Sequence, residues 1–124
     1  MIYCDTSALV KLVMSEAESE AITHFVRSHR QLASSELAIT ELFRAVPQAA
    51  PAVDQLLDGL SLIPVTRPLL EAAGRLPGVL RSLDAIHVAT ALSVRAATLV
   101  TYDHRMYAAA NIVGIETKAP GTAA

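Results

Sequence analysis

The first fourteen residues read MIYCDTSALVKLVM. Residues 1–4 form a short apolar run that is ended by the polar Asp5-Thr6-Ser7. Thr and Ser are typical of helix starts, and the apolar residues 8–14 suit a helix with Thr6 or Ser7 near its cap. This stretch therefore predicts a strand that is followed directly by a helix.

The same alternation of strand and helix is predicted along the rest of the chain. We expect further strands at 31–34, 62–65, 98–101 and 115–117. The expected helices begin at the capping-box pattern 15–18 and end near Arg30, then cover 35–46, 51–60, 69–76, 83–97 and 102–110. Pro64 lacks a backbone N–H and predicts an edge strand, and the tail from Ala119 is expected to be frayed.

Five short strands separated by helices indicate an α/β fold, in which a parallel sheet carries helices on both faces. The 124 residues suffice for one domain, which we expect to span 1–124. Because ligands bind such sheets beyond the carboxyl ends of the strands, at the switch in strand order, side chains at those ends are the first candidates for a functional site.

Composition excludes several classes of protein. With 52% hydrophobic and 18% charged residues the chain can bury a core, so it is not a disordered protein. Apolar runs stay far below the about 20 residues of a membrane helix, and no basic leader precedes Asp5, so we expect a cytoplasmic protein. The single cysteine excludes an intramolecular disulfide and argues against structural zinc. The net charge of −2 neither favours nor excludes nucleic-acid binding. If several of the acids are gathered around a metal, the rest of the chain has a positive net charge.

Four acidic residues could converge at this end of the sheet, and two of them follow strand ends that the fold rule selects. Asp5 follows the first predicted strand, and Asp103 comes shortly after the fourth. Glu41 lies about two turns into the helix that leaves the second strand, and Asp84 opens the long helix that precedes the fourth. If the four carboxylates converge, their mutual repulsion calls for a divalent cation, and an all-oxygen site suits Mg²⁺ or Mn²⁺. Such a site is typical of metal-assisted phosphodiester hydrolysis.

Each acid also has a purely structural interpretation. Asp5, Asp84 and Asp103 stand where helix caps are favoured, and Glu41 is spaced to pair with Arg44 within one helix. The residues alone leave both interpretations open.

Four blocks of sequence resemble one known family. They are residues 3–9 (YCDTSAL), Ser34-Ser35 with Thr40-Glu41-Leu42, residues 80–87 (LRSLDAIH) and residues 100–103 (VTYD). Together and in this order they resemble the PIN-domain ribonucleases, in particular the VapC-type toxins of bacterial toxin–antitoxin pairs. The resemblance extends from residue 1 to about residue 118.

This resemblance implies a three-layer α/β/α fold and a Mg²⁺- or Mn²⁺-dependent endonuclease that cleaves RNA. It matches Asp5, Glu41, Asp84 and Asp103 to the family's acidic quartet. Asp5 and Asp84 would be the main metal ligands, and Glu41 and Asp103 would complete the site directly or through water. The implied partners are a small antitoxin protein that inserts a segment near the site and a second copy of the chain in a homodimer.

Other side chains near the quartet are candidates for substrate binding. They are the hydroxyls of Thr6, Ser7 and Thr101 and the guanidinium of Arg81, while Lys11, Arg44 and Arg105 could also contact the RNA backbone. His87 lies one turn after Asp84, and we interpret it as a buried packing residue instead of a metal ligand.

Three alternatives remain. A phosphotransferase of the haloacid dehalogenase kind would need a second acid two residues after Asp5, where Ser7 stands. A phosphoacceptor receiver domain would show paired acids after the first strand, but Asp5 is followed by Thr6. A catalytically silent PIN fold that only binds a partner is separated from the enzyme by metal-dependent cleavage.

Overall fold

One parallel sheet of five strands organises the molecule. The computed structural model describes residues 1–29 and 31–122. The strands are β1 (Ile2–Cys4), β2 (Leu32–Ser35), β3 (Ser61–Ile63), β4 (Thr98–Val100) and β5 (Glu116–Lys118). They lie in the order β3-β2-β1-β4-β5, and every neighbouring pair is parallel. The edge strand predicted at 62–65 is confirmed as β3, at one end of this order, although β3 ends at Ile63, before Pro64.

Seven α-helices connect and follow the strands within the described residues. They are α1 (Thr6–Val13), α2 (Ser19–Arg27), α3 (Leu37–Ala45), α4 (Ala50–Asp58), α5 (Arg67–Gly74), α6 (Ser82–Ser93) and α7 (His104–Ile112), with a 3₁₀ turn at Pro47–Ala49. None of these helices has the length and apolar character needed to cross a membrane.

Strand β1 shows how the layers form, because its successive side chains point to opposite faces of the sheet. Ile2 and Cys4 pack into a core with residues of α1 to α4. Tyr3 packs on the other face against residues of α6 and α7, and α5 packs against α6. The predicted three-layer α/β/α arrangement is confirmed.

The strand order reverses at β1, which lies between β2 and β4. Cys4 pairs with Val100, and the backbone N–H of Asp5 donates to the Val100 carbonyl at 3.2 Å. Asp5 and Thr101 therefore leave neighbouring strands side by side. The switch point thus lies where the sequence predicted the functional edge of the sheet.

The first two helices are capped differently from the prediction. Helix α1 is capped by the carboxylate of Asp5, which has extended backbone angles and accepts from the Ala8 N–H at 3.0 Å. The capping box at residues 15–18 does not form. Helix α2 begins at Ser19 because the Ser19 hydroxyl bonds the Met14 carbonyl, and Glu18 has no side-chain cap bond.

Two helix ends also differ from the prediction. Helix α2 ends at Arg27, while its predicted end, Arg30, lies outside the described residues. Helix α6 ends at Ser93 instead of at 97. Beyond Ala119, the Tyr102 hydroxyl donates to the Pro120 carbonyl at 2.7 Å and Thr122 N donates to the Ala119 carbonyl. The fraying expected from Ala119 stays a prediction.

Candidate functional site

Asp5 is a buried carboxylate that directly follows β1, the strand at which the strand order reverses. It is 2% exposed and accepts three hydrogen bonds, from the Ser7 hydroxyl (2.7 Å), the Ala8 N–H (3.0 Å) and the Thr101 hydroxyl (2.7 Å). Burial raises the pKa of Asp5, and these donors, the Thr101 hydroxyl foremost, oppose that shift. The neighbours thus reduce the cost of a negative charge at a position that water does not reach.

Glu41 projects from α3 and is held by two donors on one oxygen. Its Oε1 lies 2.7 Å from the Thr6 hydroxyl and 2.7 Å from His87 Nε2. Burial alone would raise the pKa of Glu41, but the hydrogen bonds from His87 and Thr6 outweigh it and keep the pKa below its ordinary value. No ion pair joins Glu41 to Arg44 among the described residues, so that interpretation of Glu41 is not supported.

Asp84 and Asp103 are linked by a single guanidinium. Arg81 Nε lies 3.1 Å from Asp84 Oδ2, and Arg81 Nη2 lies 3.5 Å from Asp103 Oδ2. The Arg81 side chain is 70% exposed, whereas those of Asp84 and Asp103 are 14% and 25% exposed. Asp103 also caps α7 by accepting from the Met106 N–H at 2.9 Å.

The four acids Asp5, Glu41, Asp84 and Asp103 belong to one hydrogen-bonded edge of the sheet, which we call the acidic edge. The Thr101 hydroxyl donates to Asp5 and accepts from the Asp103 N–H at 3.1 Å. Thr6, the residue after Asp5, bonds Glu41, and Arg81 joins Asp103 to Asp84. Each acid is thus connected to the next through a neighbouring side chain or the backbone.

The donor set suits a hard divalent cation. Within residues 1–29 and 31–122, no three carboxylate, imidazole or thiol groups converge closely enough to bind one ion by themselves. Mg²⁺ does not need such a cage, because it keeps several waters and takes only one or two carboxylates directly. The Arg81 guanidinium, which spans two of the carboxylates, marks this edge as a place where positive charge is stabilised.

The remaining predicted residues fall into two groups. The hydroxyls of Thr6, Ser7 and Thr101 lie within the acidic edge and donate to its carboxylates. Lys11 is engaged elsewhere, at 2.8 Å from Glu18, and its Nζ lies 4.8 Å from the centroid of the Tyr102 ring. Arg44 and Arg105 lie on exposed faces of α3 and α7.

His87 is the residue whose importance the sequence did not reveal. Its interpretation as buried is confirmed, since it is 2% exposed, but it also contacts Glu41 directly. The available signal was its spacing of three residues from Asp84, which places both side chains on one face of a helix. Its partners lie 46 and 84 positions away in sequence, which no local pattern reveals.

Comparison with known proteins gives a consistent result. A family model for the PIN domain matches residues 2–112. Ribonuclease VapC47 of Mycobacterium tuberculosis is 39% identical over 133 residues, which cover 98% of this chain and 98% of that protein. Ribonuclease VapC46 of the same species is 43% identical over 126 residues, which cover 96% and 97%.

Solved structures share the fold at lower sequence identity. Mycobacterium tuberculosis VapC20, described as a sarcin-ricin loop cleaving toxin, superposes with a TM-score of 0.76 at 18% identity, over 93% of this chain and 96% of that one. A chain of a toxin–antitoxin complex from Klebsiella pneumoniae superposes with a TM-score of 0.74 at 20% identity, over 87% and 91%.

Proposed function

This chain belongs to the PIN-domain family, and we propose that it is a metal-dependent endoribonuclease acting as the toxin of a toxin–antitoxin pair. The observation that carries the proposal is the edge of the sheet at which Asp5, Glu41, Asp84 and Asp103 are linked through hydrogen bonds. Relatives that this chain matches over nearly their whole length, and that are named ribonucleases, support the same activity.

In this proposal the cation is Mg²⁺ or Mn²⁺, held chiefly by Asp5 and Asp84, with Glu41 and Asp103 acting directly or through water. When bound, such a cation activates water for attack on phosphorus and neutralises charge on the phosphate. Asp5 contributes a fixed ligand, because its three donors leave about one of its four lone-pair sites free.

Arg81 is the proposed contact for the RNA phosphate. Its guanidinium is exposed at the edge of the site and presents a forked donor that suits phosphate oxygens. Thr6, Ser7 and Thr101 would serve substrate binding by holding the carboxylates in place.

The proposed partners follow from the same family membership. They are an RNA substrate, a small antitoxin protein and a second copy of the chain in a homodimer. We place the protein in the cytoplasm, where its proposed substrate is found, and treat residues 1–124 as one domain.

The test is cleavage of total cellular RNA by the purified protein, free of any partner, in Mg²⁺ or Mn²⁺. We expect discrete cuts in which the 3′-oxygen is the leaving group, which gives 5′-phosphate and 3′-hydroxyl ends, and no cuts in EDTA. Attack by water forms no cyclic phosphate. Asp84→Asn should abolish cleavage and still fold, since its ion-pair partner is the exposed Arg81. Asp54→Asn, on the exposed face of α4, is the matched control and should cleave normally.

Two outcomes would contradict the proposal. Cyclic-phosphate ends would show attack by the RNA 2′-hydroxyl and refute the metal mechanism. Absence of cleavage by folded protein would favour a PIN fold that only binds a partner.

A further inference from the structure

A line of hydrogen bonds enters the acidic edge from the interior of the protein. The Tyr3 hydroxyl lies 2.7 Å from His87 Nδ1, and His87 Nε2 lies 2.7 Å from Glu41 Oε1. Tyr3 is fully buried in β1, His87 is 2% exposed on α6, and Glu41 reaches them from α3. The line therefore joins all three layers of the fold to one carboxylate.

The proton positions along this line follow from what each group can do. A carboxylate only accepts, so His87 Nε2 carries the hydrogen that bonds Glu41. The Tyr3 phenol lies 2.7 Å from His87 Nδ1, a distance at which its O–H donates a hydrogen bond to that nitrogen. Together the two contacts select the Nε2–H tautomer of the imidazole.

The same contacts decide how Glu41 is oriented. Within the described residues both of its donors, His87 and Thr6, bond to Oε1. Among the described residues no side chain or backbone group donates to the other oxygen, Oε2. Since the Glu41 side chain is 24% exposed and has three rotatable bonds, without these donors it would sample several rotamers.

We infer that His87 is a positioning residue, which orients Glu41 toward the cation, and that Tyr3 sets the tautomer that allows it. The inference rests on the proposed function, because it assigns Glu41 to the cation site. It parallels the way outer partners fix the orientation and basicity of metal ligands in proteins. A histidine that only fills space in the core would leave Glu41 and cation affinity unaffected when replaced by a side chain of similar volume.

Three variants separate positioning from packing. His87→Leu keeps an apolar volume and removes the donor, whereas His87→Gln places an amide N–H at about the position of Nε2 and should rescue the effect. Tyr3→Phe removes only the hydroxyl that fixes the tautomer. Thr117→Val is the matched control, because it removes a buried hydroxyl that bonds Asn111 and the Ile115 carbonyl instead of the acidic edge.

Two measurements are made, the first on every folded variant and the second on the wild type and the variants that keep His87. The first is the Kd for Mn²⁺ by calorimetry, without RNA. The second is the ¹⁵N–¹H correlation spectrum of the imidazoles, which reports the protonated nitrogen. We expect His87→Leu to weaken Mn²⁺ binding by about 10- to 100-fold, the range seen for outer-shell partners, and His87→Gln to recover most of it. In the wild type we expect the Nε2–H tautomer, and in Tyr3→Phe a mixture of the two tautomers.

The outcomes distinguish this inference from the proposed function. If the wild type binds Mn²⁺ and His87→Leu binds it equally well, the inference is overturned and the nuclease proposal stands. An Nδ1–H tautomer in the wild type would overturn it as well. If the wild type binds no divalent cation, both the inference and the proposed site fail.

Discussion

Replacing Thr101 with valine tests how the buried charge of Asp5 is stabilised. The change keeps the shape of the side chain and removes the hydroxyl that donates to Asp5 Oδ2 at 2.7 Å. The Thr101 hydroxyl oxygen also accepts the Asp103 N–H at 3.1 Å, so that N–H loses its partner as well. Thr101 is 0% exposed, and water cannot replace either bond without a rearrangement.

The expected cost can be worked out from these two contacts. A hydrogen bond to a charged group contributes about 1.5–3 kcal/mol, and the unpaired, partly buried N–H adds about 1 kcal/mol. Thr101→Val should therefore lower the free energy of unfolding by about 3 kcal/mol. Thr117→Val removes a buried hydroxyl with neutral partners in the neighbouring strand β5 and should cost about 1 kcal/mol.

The pH dependence supplies a second, independent check. Burial raises the pKa of Asp5 and the Thr101 hydroxyl is the largest opposing influence, so Thr101→Val raises that pKa further. Because the pKa of Asp5 is higher in the folded protein than in the unfolded chain, its contribution to stability is complete below the pKa of the unfolded chain. That contribution is lost as the pH rises through the pKa of the folded protein. The penalty of Thr101→Val should therefore be small near pH 4 and grow as the pH rises.

The assay is urea unfolding of both threonine variants from pH 4 to pH 8 in EDTA, so that no cation compensates the charge. Equal costs for Thr101→Val and Thr117→Val at pH 8 would refute the reasoning. So would a cost of Thr101→Val that does not change with pH.

Three further substitutions test other parts of the fold and site. Arg81→Gln should fold with wild-type stability in urea, since the side chain is exposed, and should raise KM for RNA severalfold in initial-rate assays while changing kcat less. Gly74→Ala, at the end of α5 with open space around the added carbon, should stabilise the protein by about 0.5–1 kcal/mol in urea. Gly78→Ala should destabilise it, because Gly78 has φ +100° and the added carbon would lie 3.3 Å from the Ala109 side chain. Leu42→Ala, at a fully buried position of α3, should cost about 2–5 kcal/mol, and a cost below 1 kcal/mol would contradict its place in the core.

The order of strands and helices could be predicted from sequence because it depends on local patterns. The apolar run before Asp5 and the edge strand before Pro64 are both properties of a few adjacent residues, and both were correct. The start of α2 was wrong because it depends on contacts outside the pattern. Ser19 bonds the Met14 carbonyl, and Glu18 pairs with Lys11 on α1 at 2.8 Å.

The acidic edge, too, could be predicted from sequence only in part. That Asp5 would lie at the carboxyl end of a strand follows from the alternation of elements, and the switch in strand order lies beside it. That Glu41 would bond His87 instead of Arg44 could not be predicted, because a helix of known spacing still leaves open what packs against it. The role of Tyr3 could not be predicted either, since a tyrosine in a buried strand has the same sequence pattern whether or not its hydroxyl has a partner.

The acids of the site are stabilised in two different ways, and the difference bears on how the proposed enzyme works. Asp5 is buried among donors that belong to the fold, so its position does not depend on any ligand, and the burial that raises its pKa opposes its ionisation. Asp84 and Asp103 instead share the exposed Arg81, whose guanidinium can leave without exposing any core residue. A cation bound at this edge would compete with Arg81 for the two carboxylates and free the guanidinium for an RNA phosphate. Cation binding and phosphate binding would then support each other, because the first supplies the charge that Arg81 provides in the free protein.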